Sequence, residues 1–179
     1  MTTTPSPRHR ADAGTRAAPR GWLLVGGGAA ALAAGLGATA VLLGRRLVAV
    51  TVRGTSMEPT YRDGDRVLVR RDSRFTPGQV VVVERPVPGR GWHRPPLARD
   101  SAAHAVTGRD WLIKRVAAAP GDPVPHERIP ALAHVPETRV PPGRLVLLGD
   151  NPAVSFDSRR VGYFPAERVL GAVLRPLPR

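Results

Sequence analysis

Apolar residues in this chain fall into one long block and six short ones. The long block, WLLVGGGAAALAAGLGATAVLLG, runs from Trp22 to Gly44 without a charge. Its length matches the ~20 residues a helix needs to cross the hydrocarbon core of a bilayer. The short blocks have the length and β-branched content of strands: LVAVTVR (47–53), DRVLVRR (65–71), QVVVVE (79–84), WLIKRV (111–116), RLVLLGD (144–150) and RVLGAVLR (168–175). Turn signals separate them, at Asp63-Gly64-Asp65, Pro77-Gly78, Pro120-Gly121-Asp122 and Pro142-Gly143. This punctuation predicts a mostly β domain over residues 47–179, a small antiparallel barrel-like or folded sheet. Two Pro-rich interruptions, 85–108 and 123–142, are expected to be loop-rich.

The long block is expected to be a retained transmembrane signal anchor. A cleaved leader would have a shorter apolar core, and here apolar residues continue past the small-residue triplet Ala38-Thr39-Ala40. Residues 1–20 are polar and rich in Pro, Thr and Arg, which predicts a disordered tail. Arg8, Arg10, Arg16 and Arg20 precede the block and Arg45 and Arg46 follow it. The positive-inside rule then puts the N-terminus in the cytoplasm and the β domain outside, on a single-pass cell-membrane protein.

Composition narrows the chemistry. There is no cysteine, which excludes thiol catalysis, disulfides and Cys-ligated metal. The histidines outside the tail, His93, His104, His126 and His134, fall in the Pro-rich interruptions without metal-ligand spacing, so no metal or other cofactor is expected. Net charge is +13, yet the arginines are scattered and no nucleic-acid-binding signature accompanies them. Nucleic acid is therefore not an expected partner, while anionic headgroups of membrane lipid are one.

One basic residue stands apart. Of 27 Lys and Arg residues only Lys114 is lysine. Arginine stays protonated in proteins, whereas a lysine desolvated among apolar neighbours gives up its proton and serves as a general base. Leu112, Ile113 and Val116 supply such neighbours on a strand. Ser56, in RGTSMEPTYRDGD, follows the first strand, with Gly54 before it and Met57 and Pro59 after it. Gly54 permits unusual backbone angles and Pro59 stiffens the next turn. A serine hydroxyl becomes a nucleophile when a base takes its proton, and a lysine is one such base. A third segment, LLGDNPAVSFDSRRVGYFP (147–165), packs Asp150, Asn151, Ser155, Asp157, Ser158 and Arg159 between two apolar strands. Such a turn bonds its own side chains and caps backbone groups, and it also has hydroxyls to orient an amine.

Together, an anchor followed in order by SMEPT, IKRVAAAPGD and GDNPAVSFDSR resembles the membrane-anchored type I signal peptidases over about residues 50–175. The mitochondrial inner-membrane peptidases and the actinobacterial nickel superoxide dismutase maturation proteases are similar too. The resemblance implies Ser56 as nucleophile, Lys114 as general base and Ser155 as the hydroxyl that orients the lysine. It implies Asp157 and Arg159 as a supporting ion pair, Gly149, Asp150 and Asn151 as the structural start of the last motif, and Met57 and Pro59 as shapers of the nucleophile turn. Preproteins would lie extended against residues 50–54 and 110–113 and be cut after small residues of the Ala-x-Ala type. Gly54 stands where many members have a serine that donates to the oxyanion, Gln79 where Asp is usual and Pro152 where Arg is common. A dedicated propeptide protease and an inactive peptide-binding homologue are the alternative functions.

Overall fold

The computed structural model describes residues 46–71, 74–98, 101 and 103–178, together with Met1. The expected anchor at 22–44 and, Met1 apart, the tail at 1–20 lie outside the described residues. Among the described residues no helix is long and apolar enough to cross a membrane.

Among the described residues there are seven strands: β1 (Leu47–Thr51), β2 (Arg66–Arg70), β3 (Val80–Glu84), β4 (Trp111–Ala118), β5 (Arg144–Leu148), β6 (Phe164–Pro165) and β7 (Val169–Leu177). They form one sheet in the order β1-β2-β7-β3-β4-β5-β6, every neighbour antiparallel. The order is open, with β1 and β6 at its edges, so the mostly β expectation holds as a folded sheet and not as a closed barrel. Register shifts at Leu68/Val69, Val82/Val83 and Val116/Ala118 mark where it bends.

The strands follow from their side-chain alternation. In β2, Val67 and Val69 are fully buried while Arg66 and Arg70 face water. The central strand β3 is buried throughout, and its sequence VVVVE is apolar on both faces to match. Val80 and Val82 join Val52, Met57, Ile113 and Leu170 in one cluster, while Val81 and Val83 join Val116, Leu145, Leu147, Phe164 and Ala172 in another. Residues 123–142 cover the far end of β4 and β5 through Val124, Ile129, Leu132 and Val140.

Among its described residues the 85–108 segment holds one short helix and is tied to the sheet by side-chain contacts. It carries helix α1 (Ala103–Thr107), whose Val106 carbonyl accepts from the Trp111 indole at 2.8 Å. Glu84 closes β3 as a buried carboxylate gripped by two arginines, Arg109 at 2.9 Å and Arg168 at 3.1 Å. Arg109 also reaches the Pro95 carbonyl and Arg168 the Arg94 carbonyl, so the knot fastens the segment to the sheet.

The pairing leaves a gap that bears on function. β5 meets β4 only from Arg115 onward, so among the described residues Trp111–Lys114 has β3 on one side and no strand on the other. Among the described residues β1 likewise pairs with β2 alone.

Candidate active site

Ser56 sits on a turn built by its neighbours. Beyond β1 the chain is pinned to the 61–65 turn, Val52 N–H donating to the Asp65 carbonyl and Gly64 N–H to the Val52 carbonyl. Gly54 then takes φ +79, a left-handed angle that side chains resist, and its N–H donates to Asp63 Oδ1 at 2.6 Å. Met57 is fully buried in the core and draws the turn down, while Tyr61 N–H bonds back to the Met57 carbonyl. Pro59 follows a cis peptide bond. Ser56 is left half-buried, and its N–H meets no acceptor among the described residues.

Lys114 comes to it from β4. It is 1% exposed, the largest fully buried side chain among the described residues. Its amine donates to Ser56 Oγ and to the carbonyl of Ile113, both at 2.8 Å. Burial pushes its pKa down to about 8, opposed by the negative charge of Asp157, helped by the positive charge of Arg85 and opposed again by Asp150. About half of the amines are then neutral at pH 8 and about a tenth at pH 7. A hydroxyl in contact with a partly neutral, water-shielded amine is equipped to lose its proton to it.

The third segment holds the other two in register. Asn151 N–H donates to the Ser56 carbonyl at 3.0 Å and its Nδ2 to the Thr55 carbonyl at 3.3 Å. Asp150 accepts from Thr60 Oγ1 at 2.6 Å and from Arg115 Nε and Nη2 at 2.9 and 2.7 Å. One carboxylate thus joins the SMEPT, IKRV and GDN segments, and the Arg115 guanidinium holds its pKa below the usual carboxylate range. Asp157 is fully buried, caps helix α2 (Ser158–Val161) at Arg159 N–H, accepts from Gly149 N–H and pairs with Arg159 Nη1 at 2.7 Å. Ser158, also buried, accepts from Leu147 N–H.

The sequence-predicted residues therefore meet at one place, with one difference. Ser155, expected to orient the lysine, is 3% exposed, but its hydroxyl lies against Gly149 and makes no hydrogen bond to any described residue. Sequence reasoning missed Thr60 and Arg115 as partners of Asp150. Arg115 was legible only as one more cation beside the lysine. It also missed Arg85, whose guanidinium lies 5.5 Å from the centre of the Phe156 ring.

A buried Ser/Lys contact is one observation, and comparison with known sequences is independent of it. The model of the family described as signal peptidase, peptidase S26, matches residues 27–130 and 126–177. The chain belongs to that family.

Within the peptidase S26 family it is 33% identical over 141 residues to probable signal peptidase I-1 of Synechocystis sp., covering 66% of this chain and 65% of that one. It is 30% identical over 151 residues to probable signal peptidase I-2 of the same organism, covering 72% and 63%. To thylakoidal processing peptidase 1 of Arabidopsis thaliana it is 27% identical over 148 residues, covering 68% and 39%. The chain thus spans somewhat under two thirds of the two cyanobacterial relatives. Both S26 segments contain the site, Ser56 and Lys114 lying in the first and Asp150–Arg159 in the second.

Proposed function

We propose that the protein is a membrane-anchored serine endopeptidase that removes N-terminal signal peptides from translocated preproteins, with Ser56 as nucleophile and Lys114 as general base. The observation that carries this reading is the 2.8 Å contact between the Lys114 amine and the Ser56 hydroxyl, made by a lysine withdrawn from water.

The chemistry runs in two steps. Neutral Lys114 takes the Ser56 proton as Oγ attacks the scissile carbonyl, and the resulting ammonium returns a proton to the leaving amine. Lys114, neutral again, then draws a proton from the water that attacks the ester and passes it to Ser56 Oγ as that bond breaks, restoring Ser56 and neutral Lys114 and releasing the new carboxyl group, which loses its proton to solvent. The unengaged Ser56 N–H is one donor for the oxyanion. Gly54 brings no side chain to the task.

The open edge of β4 over Trp111–Lys114 and the free edge of β1 offer two unsatisfied backbone ladders to an extended peptide. Small residues of the Ala-x-Ala type fit the resemblance stated for the motifs. A single-pass anchor at 22–44 with the N-terminus cytoplasmic puts the catalytic domain on the outer face, where exported chains emerge.

The test is incubation of the full-length protein in lipid with a panel of secreted preproteins, followed by mass mapping of the new N-termini. Cuts after Ala-x-Ala in many clients support a general signal peptidase. Cutting of one client alone supports a dedicated maturation protease, and no cutting of any client overturns the peptidase reading.

A further inference from the structure

We infer that Arg85 is a charge-selecting residue of the peptide site, favouring an acidic and disfavouring a basic substrate residue beside the scissile bond. This rests on the Ser56/Lys114 site being a peptide site, and it adds a preference that small-residue selection does not contain.

Arg85 follows β3 on the face that carries Lys114. Val81 is opposite Lys114 and Val83 opposite Leu112, and the ladder runs on through Arg85 N–H to the Asp110 carbonyl at 2.9 Å. Alternate residues of a strand share a face, so positions 81, 83 and 85 share that of Lys114. The Arg85 side chain is exposed at the rim of the site, and its charge is felt at the Lys114 amine.

Its neighbours hold it without neutralising it. The guanidinium makes a cation–π contact with Phe156, 5.5 Å from its ring centre, and Phe156 lies between buried Ser155 and buried Asp157 of the third motif. Arg109, Arg115, Arg159 and Arg168 each hold a carboxylate, whereas Arg85 has none within ion-pair distance among the described residues. A cation–π contact supplies no hydrogen-bond acceptor from a carboxylate, so it leaves the guanidinium N–H donors available to one. Val154, 57% exposed, adds an apolar shoulder on the Ser155 side. A peptide lying over this ledge would shield Arg85 from water. A carboxylate then gains a charge-assisted hydrogen bond, and an ammonium meets an unscreened like charge.

The experiment uses the full chain in neutral-lipid nanodiscs with Ser56→Ala, so that binding is read without cleavage. Labelled peptides with an Ala-x-Ala centre carry Asp or Lys in turn at each of the four positions before and three after the scissile bond. At one or more of these positions the Asp peptide is expected to bind about five- to tenfold tighter than the Lys peptide, the size of a partly exposed charge contact. The ratio should fall to about one in Arg85→Ala, persist in Arg85→Lys and invert in Arg85→Glu. An Asp/Lys ratio indifferent to all three substitutions overturns the inference, as does an Arg85→Ala effect confined to binding of phosphatidylglycerol vesicles. The same peptides given to the Ser56 protein read cleavage separately. Binding that follows Arg85 with no cleavage would count against the Ser56/Lys114 mechanism and not against the charge selection.

Discussion

The Lys114 amine donates to the Ser56 hydroxyl at 2.8 Å while Lys114 is only 1% exposed. The contact is costly to the fold. A pKa near 8 against the ordinary 10.5 means that folding disfavours the ammonium by about 3 kcal/mol wherever the unfolded chain carries it. The cost is full below pH 8, declines between 8 and 10.5 as the unfolded lysine also loses its proton, and vanishes above. Lys114→Met should therefore unfold at a higher temperature than wild type at pH 7, a gain of about 1–3 kcal/mol, with no peptidase activity. The advantage should shrink as pH rises from 8 to 10.5, which thermal melts across that range will read.

Activity should rise with pH on the same account. With neutral Lys114 as the proposed acceptor of the serine proton, kcat/KM on a neutral peptide should climb about tenfold per unit below pH 8 and level above it. A profile flat between pH 6 and 9 would deny Lys114 the base role. Lys114→Arg cannot lose its proton and should lower kcat by about a thousandfold or more while circular dichroism stays native.

Asp150 is the latch between three segments, and Asp150→Asn should loosen it. Arg115 and Thr60 lose their shared acceptor charge, so a loss of about 1–3 kcal/mol in stability and a fall of about tenfold or more in kcat are expected. Because Arg115 lowers the folded pKa of Asp150, the wild-type latch contributes fully above the unfolded carboxylate pKa and is lost as pH falls through the folded one. Denaturant titrations at pH 7 and in acid should show wild type converging on the variant in acid.

Gly149→Ala tests the crowding behind the nucleophile. A Cβ there would come within 2.6 Å of the Ser56 carbonyl and would overlap the Ser155 hydroxyl. The Ser155 hydroxyl can rotate aside, but the Ser56 carbonyl is backbone and Ser155 Cβ would lie 2.7 Å away, so the Ser56 turn must shift. A loss of peptidase activity of about a hundredfold is expected, larger than that of Gly143→Ala in an open turn, where no atom lies within 4 Å of the added methyl but φ is +72.

The strands were legible because alternation and β-branched runs act locally. The six apolar blocks from 47 to 175 became β1 to β5 and β7, each within a few residues of its expected ends. β6 escaped notice because two residues, Phe164 and Pro165, carry no period. Ser56 and Lys114 were singled out by residue chemistry, a serine after Gly54 and one lysine among arginines, and their proposed roles came from the order of the three motifs in the family resemblance. What joins them was not, since a sequence does not say which of many arginines finds Asp150 or Glu84. Arg115 and Arg168 were chosen by strand register, and Arg85 by the position of Phe156 after the third motif folds back. Ser155 shows the converse: its place in the motif predicts a partner for the lysine, yet its hydroxyl lies against Gly149.

If Ser56 attacks because buried Lys114 takes its proton, trapping of the acyl-enzyme will show it. The full chain is treated with a serine-acylating lactam at a series of pH values, and the modified residue is mapped by mass spectrometry. A single adduct on Ser56 is expected, formed at a rate that rises with pH to a plateau through an apparent pKa near 8, with no adduct in Lys114→Arg. An adduct on another serine, or Ser56 acylation at an unchanged rate in Lys114→Arg, would contradict it.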